Sequence, residues 1–466
     1  MRSAKPADTI TMRVFLVVVL VLSVVLPLAA RDVPLREIAD DSGLRLELKS
    51  TYFTDTPARV MAHRPVTRTL PSGDEAQVRV ETSPSRFTVL LARKAAGAFA
   101  GWVQGSWALA RNRRTGEFEH IRIFLRSDPY TYIQLRPDEA DKNKTLLDVV
   151  VYDAFIRRGL PLPVSFDRVL TMRLGDVLAL AGERFPVRYY EPSGGNYRDI
   201  RAFIANVRGA LGGLAFGDDG AIDEHGTYVY IETLEPQRFP PEDTMSQGGL
   251  NCSGFAKWLV DGLLGPLTGK LLTINELKAP YGDRGSGITQ PWDPVRDLFF
   301  GLDWTRNLAS AVQQALYPDT PVPLSEFEVR HAPFTQILVR KNGVTEIQSY
   351  PEHIIDTGFA AEGIYPLLYT LAVDEPGTIY LAAISDDRGG PRPRLRRYFH
   401  VAALVPYFDE ENVFRIVVFE SAEETSFSRF RTRYPGNFIN LVRVPVEGVF
   451  EPPLSTLSRL SVTETR

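Results

Sequence analysis

The most informative stretch of the sequence reads Gly248-Gly249-Leu250-Asn251-Cys252-Ser253-Gly254-Phe255-Ala256-Lys257-Trp258. Asparagine is one of the residues preferred at a helix N-cap, so Asn251 predicts a helix whose first residue is Cys252. Three apolar side chains follow on one predicted helix face, at Phe255, Trp258 and Leu259. The pair Gly265-Pro266 predicts the end of this helix, because proline disrupts a helix interior.

Cys252 is the one cysteine among the 466 residues. At a helix start, unpaired backbone N–H groups and the positive end of the helix dipole stabilise a thiolate. The glycines before Cys252 permit a close backbone approach, and Gly254 is predicted to leave the near face open for a base. The alternative is a small buried apolar side chain, which is the usual state of a free cysteine. A nucleophilic thiolate needs a histidine within hydrogen-bonding reach.

His400 is the favoured partner, because it opens a predicted strand that continues over residues 401–405. The polar turn at 409–412 predicts a hairpin with a second strand over 414–419, which ends at Glu420. Antiparallel pairing brings the two ends of a hairpin together. We therefore predict that His400 acts as the base and that Glu420 orients its imidazole.

His331 is the alternative base. It also precedes an apolar stretch, which continues to Val339, and Asn342-Gly343 is a good hairpin turn. Pro333 makes this stretch a poorer central strand, because proline cannot donate a ladder hydrogen bond. The sequence leaves both histidines open and favours His400.

The rest of the chain predicts two modules. Residues 31–182 contain short strands separated by turn residues, which is typical of a β-rich module, either a sandwich or barrel-like. Residues 183–450 show amphipathic helices first and then a series of strands, an α+β arrangement. The last residues, 451–466, are predicted to form a tail.

The N-terminus predicts export. Basic residues at positions 2, 5 and 13 precede an apolar run over 14–26, and small residues follow it. Residues 1–30 are therefore predicted to be a signal peptide or an N-terminal membrane anchor, and the protein to lie in the periplasm or cell envelope. The apolar segment is also the predicted route of any membrane association. The formal net charge of −4 gives no indication of a nucleic-acid partner.

The run from Asn251 to Phe255 resembles the nucleophile motif of the NlpC-type cell-wall endopeptidases, a branch of the papain-like cysteine peptidases. Gly377-Thr378 resembles the turn of that family before a strand, and His400-Val401 resembles its histidine strand. Glu420 stands where the family has its third polar residue. The resemblance covers roughly residues 185–445. It implies a papain-like, NlpC-type domain over 183–450, helices packed on an antiparallel sheet, with an insertion at about 270–370.

The resemblance also implies a function. The family cleaves peptide stems of peptidoglycan, so we expect an exported cysteine peptidase or amidase that uses Cys252, His400 and Glu420 on peptidoglycan or another envelope peptide. No metal and no organic cofactor is implied. Two alternatives remain open, which are a non-catalytic envelope scaffold and a thiol acyltransferase on the same fold.

A basic cluster precedes His400 in the sequence, at Arg388, Arg392, Arg394, Arg396 and Arg397. Such a cluster can attract an anionic substrate, and it can equally be a solvated loop.

Overall fold

The structure is a computed structural model that describes residues 32–39, 41–238, 248–281, 297–341, 343–388 and 395–453. The predicted signal or anchor over 1–30 lies outside the described residues, as does the predicted tail beyond residue 453. Among the described helices, none has the length and apolar character required to cross a membrane.

Helices, singly or in consecutive groups, precede and separate groups of strands along the chain. The α-helices are α1 (Ser42–Leu48), α2 (Pro57–Met61), α3 (Phe166–Val169), α4 (Leu174–Ala181), α5 (Arg198–Leu211), α6 (Cys252–Thr268), α7 (Ile274–Lys278), α8 (Phe300–Leu316), α9 (Leu324–Phe327), α10 (Ile364–Asp374) and α11 (Phe427–Arg433). The first ten strands are β1 (Val66–Thr69), β2 (Glu75–Thr82), β3 (Arg86–Arg93), β4 (Trp107–Asn112), β5 (Phe118–Ile123), β6 (Tyr132–Pro137), β7 (Thr145–Val151), β8 (Ala154–Leu162), β9 (Gly220–Ile222) and β10 (Tyr228–Tyr230). The others are β11 (Gln336–Lys341), β12 (Val344–Ser349), β13 (Phe359–Ala360), β14 (Thr378–Arg388), β15 (Leu395–Phe408), β16 (Phe414–Glu420), β17 (Glu423–Ser426) and β18 (Phe438–Pro445).

The first sheet is an antiparallel meander. Its ten strands follow one another in the order β1 to β8 and then β11 and β12, so each of the first eight pairs with its neighbour in sequence. The hairpin β11–β12 joins this sheet through the pairing of Ile337 with Ala154 on β8. This hairpin lies within the segment 270–370, where an insertion is predicted, and it extends the N-terminal sheet. The division of the chain near residue 182 stays a prediction.

The second sheet carries the candidate site. Its six antiparallel strands have the order β13-β18-β14-β15-β16-β17. Residues 379–384 of the central strand β14 are all fully buried, which shows that both faces of the sheet are covered. Helices α6, α8 and α10 all pack against β15. Together with the meander, this sheet confirms the mixed α+β class.

Contacts between Arg126 and the C-terminal half join the two sheets. Arg126 follows β5 of the first sheet, and its guanidinium donates to the Tyr369 hydroxyl at 3.2 Å and to the Asn412 carbonyl at 2.9 Å. Tyr369 lies on α10, and Asn412 lies in the turn between β15 and β16. The turn that connects the candidate site strands is therefore held by the N-terminal sheet.

The end of helix α6 differs from the prediction. Gly265-Pro266 was expected to end the helix, but α6 continues to Thr268 and ends at Gly269 in the left-handed conformation. The reason lies in the hydrogen bond that proline cannot make, since Pro266 leaves the carbonyl of Gly262 without its helical donor. The backbone N–H of Glu451 donates to that carbonyl at 2.9 Å. A distant part of the chain thus replaces the missing bond.

Candidate active site

Helix α6 begins at Cys252, and Asn251 caps it. The Asn251 side chain accepts a hydrogen bond from the backbone N–H of Gly254 at 2.8 Å. The backbone N–H of Asn251 donates to the carbonyl of Gly220 on β9 at 3.0 Å, which fixes the start of the helix to that strand. The thiol therefore lies at the N-terminal end of a helix of 17 residues, where the helix dipole favours a thiolate.

Gly254 has a different role from the one predicted. A Cβ atom at this position would lie 1.9 Å from the carbonyl oxygen of Gly220 and 2.8 Å from the Cα atom of Ala221. Gly254 therefore faces strand β9 and permits the helix to approach that strand. The prediction was that Gly254 leaves space for the base. The glycine before Leu250 acts in the same way, because a Cβ on Gly249 would lie 2.4 Å from the backbone of Gly217.

We expect Gly254→Ala to lower the free energy of unfolding by about 3 kcal/mol, since the added methyl group overpacks a contact between backbone atoms. Gly209→Ala is the matched control, because its Cβ would meet nothing within 4 Å. Alanine has the higher helix propensity, so that control should raise stability by up to about 1 kcal/mol. Chemical denaturation of both variants measures the difference, and equal stabilities would contradict the packing described.

The structure brings His400 to Cys252. His400 was predicted to be the first residue of its strand. Instead, β15 begins at Leu395, because residues before His400 pair with the long strand β14. Cys252 and His400 line the same cleft, and the imidazole lies close enough to the thiol to change its pKa. His400 is largely buried, with 13% of its side chain exposed.

The electrostatics of this pair favour a thiolate and an imidazolium. Burial raises the pKa of the Cys252 thiol, but the hydrogen bond and the charge of His400 outweigh burial and leave that pKa below its usual value. Burial lowers the pKa of His400, while its hydrogen bonds to Cys252 and Glu420 raise it to about 9. At neutral pH the imidazole is therefore protonated, and its positive charge favours the thiolate form of Cys252.

Glu420 contacts the other side of the imidazole. Its Oε2 lies 2.8 Å from Nε2 of His400, so Nδ1 is the nitrogen left to face the thiol. Burial raises the pKa of the Glu420 carboxyl, but the hydrogen bond and charge of His400 and the charge of Arg433 bring it below its usual value. The carboxylate thus stays ionised and favours the imidazolium.

Two residues that the sequence did not indicate complete this arrangement. Arg433 donates to Oε1 of Glu420 at 2.6 Å, and the ring of Tyr434 stacks on the imidazole with 5.6 Å between centroids. Arg433 is the last residue of the short helix α11, which Ser426 caps, and Tyr434 follows it. No pattern in the sequence relates this helix to His400, because the contact depends on the position of β17 at the edge of the sheet.

We expect Glu420→Gln to slow alkylation of Cys252 by iodoacetamide at pH 6 by about tenfold, the equivalent of one pKa unit. Without the carboxylate the pKa of His400 falls and the pKa of the thiol rises, so less thiolate is present at acidic pH. Glu424→Gln is the matched control, since Glu424 pairs with Arg208 at 2.7 Å on the surface. Equal rates for the two variants would exclude Glu420 as the orienting residue.

A cleft of about 270 Å³ opens beside the thiol. Its lining residues are Cys252, Ser253, Asp297, Leu298, Phe300, Gly301, Arg397, Tyr398, Phe399, His400 and Val401. Helix α8 forms one wall and is fixed to α6 by a hydrogen bond from the Trp304 indole to the Ser253 carbonyl at 2.9 Å. The wall therefore comes from the segment for which an insertion is predicted.

His331 lies away from this cleft. It is exposed, it does not line the cleft, and the strand that follows it begins only at Gln336. That strand, β11, belongs to the first sheet. The described structure therefore brings His400, and not His331, to the thiol.

The site as a whole is a thiol and an imidazole that line one cleft, with a carboxylate bonded to the imidazole. These are the group types that nucleophilic catalysis by cysteine requires. In the part of the chain that the structure describes, no group of three or more His, Cys, Asp or Glu side chains could hold a metal ion.

The family match lies in the N-terminal part of the chain, before the candidate site. Residues 34–189 match a family described as a domain of unknown function, DUF8515. The matched region covers the strands β1 to β8 and ends before Cys252, so it contains none of the three site residues. No curated protein and no solved structure matches the chain.

Proposed function

We propose that this protein is an exported cysteine hydrolase that cleaves amide bonds through the Cys252 thiolate. The observation that carries the proposal is that Cys252 and His400 line one cleft, with the imidazole of His400 hydrogen-bonded to Glu420. A buried structural cysteine has no need of a charged histidine, and a charged histidine is costly to bury without a partner.

The chemistry follows from the protonation states. The thiolate attacks the acyl carbon of the substrate, a C–S bond forms, and negative charge moves to the carbonyl oxygen. The backbone N–H of Cys252, at the first position of α6, has no intrahelical acceptor and is available to that oxygen. The imidazolium then donates its proton to the leaving nitrogen as the C–N bond breaks. Water, deprotonated by the neutral imidazole, then attacks the acyl carbon. A C–O bond forms, and the C–S bond breaks to release the acid and return the thiolate.

The proposed substrate is a peptidoglycan stem peptide or another envelope peptide. Support comes from the sequence resemblance to NlpC-type endopeptidases and from the predicted export signal. A helix that begins at the cysteine and packs on an antiparallel sheet is consistent with the papain-like, NlpC-type domain. The β-rich N-terminal module would then position the enzyme or its substrate in the envelope.

The test is incubation of the full-length protein with muropeptides and with intact sacculi, followed by mass analysis of the products. An endopeptidase adds one water to a bond within the stem, and an amidase separates the stem from the glycan. Either product supports the proposal.

Two other results would redirect it. Products in which an acyl group has moved to an amine without addition of water would identify a thiol acyltransferase. Absence of any product, together with a Cys252 that alkylates no faster than free cysteine, would leave the binding scaffold.

A further inference from the structure

A β-bulge in β15 determines which side chains accompany His400. On β14, Ile384 pairs with His400 and Ser385 pairs with Tyr398, so Phe399 is an extra residue in β15. Arg397 pairs with Asp386, two register steps from the partner of His400. Residues two steps apart point to the same face of a sheet. The bulge therefore places Arg397 on the same face as His400, about 7 Å along the strand.

The guanidinium of Arg397 retains donor capacity. Arg397 lines the cleft, and 34% of its side chain is exposed. Among the described residues, one carboxylate lies within ion-pair distance, that of Asp386, at 3.4 Å. Charge-assisted hydrogen bonds are usually about 2.7–2.9 Å long, so this contact is weak. The guanidinium also lies 5.4 Å from the centroid of the Phe399 ring, and this cation–π contact restricts its position.

We propose that Arg397 is a specificity-determining residue that binds a carboxylate of the substrate while Cys252 attacks the acyl carbon. This inference rests on the proposed function and narrows its substrate class to acyl compounds that also bear a carboxylate. The guanidinium fork matches a carboxylate in two parallel hydrogen bonds. Besides Cys252, His400 and Arg397, the cleft wall includes the acidic residue Asp297, and its carboxylate accepts from the backbone N–H of Phe299 at 2.9 Å.

The test uses two alkylating probes that differ only in charge, N-bromoacetyl-β-alanine and its carboxamide. In both, the thiolate displaces bromide, a C–S bond forms, and bromide leaves with the electron pair. Cys252 is the only cysteine, so intact-mass measurement of the full-length protein gives the rate for each probe. The ratio of the two rates, acid over amide, cancels any change in the pKa of the thiol.

We expect Arg397→Gln to lower this ratio about threefold to tenfold. The range lies between the contribution of an exposed ion pair and that of a charge-assisted hydrogen bond. The amide rate should change little. Arg396→Gln is the matched control, with the same residue type one position earlier. Arg396 pairs with Asp387, one residue beyond the partner of Arg397, so the two arginines point to opposite faces of the sheet. The Arg396 guanidinium donates to the Ser385 hydroxyl at 3.2 Å. The ratio for this variant should equal that of the wild type.

Two results would overturn the proposal, and a third is distinct from both. A ratio that Arg397→Gln leaves unchanged would remove Arg397 as the carboxylate-binding residue. An equal decrease of the ratio in Arg396→Gln would show that general positive charge near the cleft, and not a specific contact with Arg397, attracts the acid probe. If the amide probe reacts no faster with Cys252 than with free cysteine, the proposed function itself fails, whatever the ratio.

Discussion

Cys252→Ser is expected to lower the rate of muropeptide hydrolysis by at least about 10⁴-fold, because loss of a nucleophile in such a constellation has effects of this size. The serine hydroxyl is nearly the same shape, but it does not ionise at neutral pH and no longer forms the ion pair with His400. The measurement is the initial rate of product formation by mass spectrometry.

The control for this variant is its stability. Sγ of Cys252 lies 3.9 Å from the Ser253 hydroxyl, a long contact whose loss should matter little to the fold. We expect the free energy of unfolding of Cys252→Ser to remain within about 1 kcal/mol of the wild type, as for most substitutions that open no cavity. Unchanged hydrolysis in a folded Cys252→Ser protein would exclude the thiol mechanism.

His400→Gln has the second-largest expected effect. Without the imidazolium the pKa of the thiol rises, and the proton donor to the leaving group is lost. We expect hydrolysis to fall about 10²- to 10⁴-fold, the range for removal of a general acid–base group. Alkylation by iodoacetamide at pH 6 should also slow, and it should approach the wild-type rate at alkaline pH, where the thiol ionises without help.

His331→Gln is the matched control for His400→Gln. The sequence after each histidine has a similar pattern, but His331 is exposed and absent from the cleft. This variant should hydrolyse and alkylate as the wild type does. A loss of activity in His331→Gln with none in His400→Gln would reverse the assignment of the base while leaving the cysteine mechanism intact.

The pH dependence of hydrolysis follows from the same pair. The raised pKa of His400, about 9, means that the imidazolium persists below that pH and is lost as the pH rises through it. The lowered pKa of Cys252 means that the thiolate forms at a pH below the usual range for a thiol. We therefore expect a bell-shaped profile with an alkaline limb near pH 9. In Glu420→Gln this limb should move to lower pH.

Local patterns determined part of this site. The N-cap preference of asparagine depends on its own neighbours, and helix α6 does begin at Cys252. The hairpin that relates His400 to Glu420 is also local, because a short polar turn joins β15 to β16 and leaves little freedom in their register. Both predictions depend only on residues that are close in sequence, namely the neighbours of the helix cap and the residues that flank one turn.

Long-range contacts decided the rest. The position of Arg397 depends on a bulge whose register is set by pairing with β14, and strict alternation along β15 would place Arg397 and His400 on opposite faces. The partner of Gly254 is strand β9, more than 30 residues earlier in the chain, so the sequence around Gly254 could not identify it.

Local sequence patterns were sufficient to predict the mixed α+β class, the helix start at the thiol and the hairpin that carries the histidine and the acid. Tertiary contacts were needed to show that the hairpin after His331 belongs to the first sheet, that α6 continues through Pro266 and that Arg433 binds Glu420. The physical reason is the same in each case. A local pattern defines which hydrogen-bonding groups and apolar faces need a partner, whereas packing of the whole chain selects the partner.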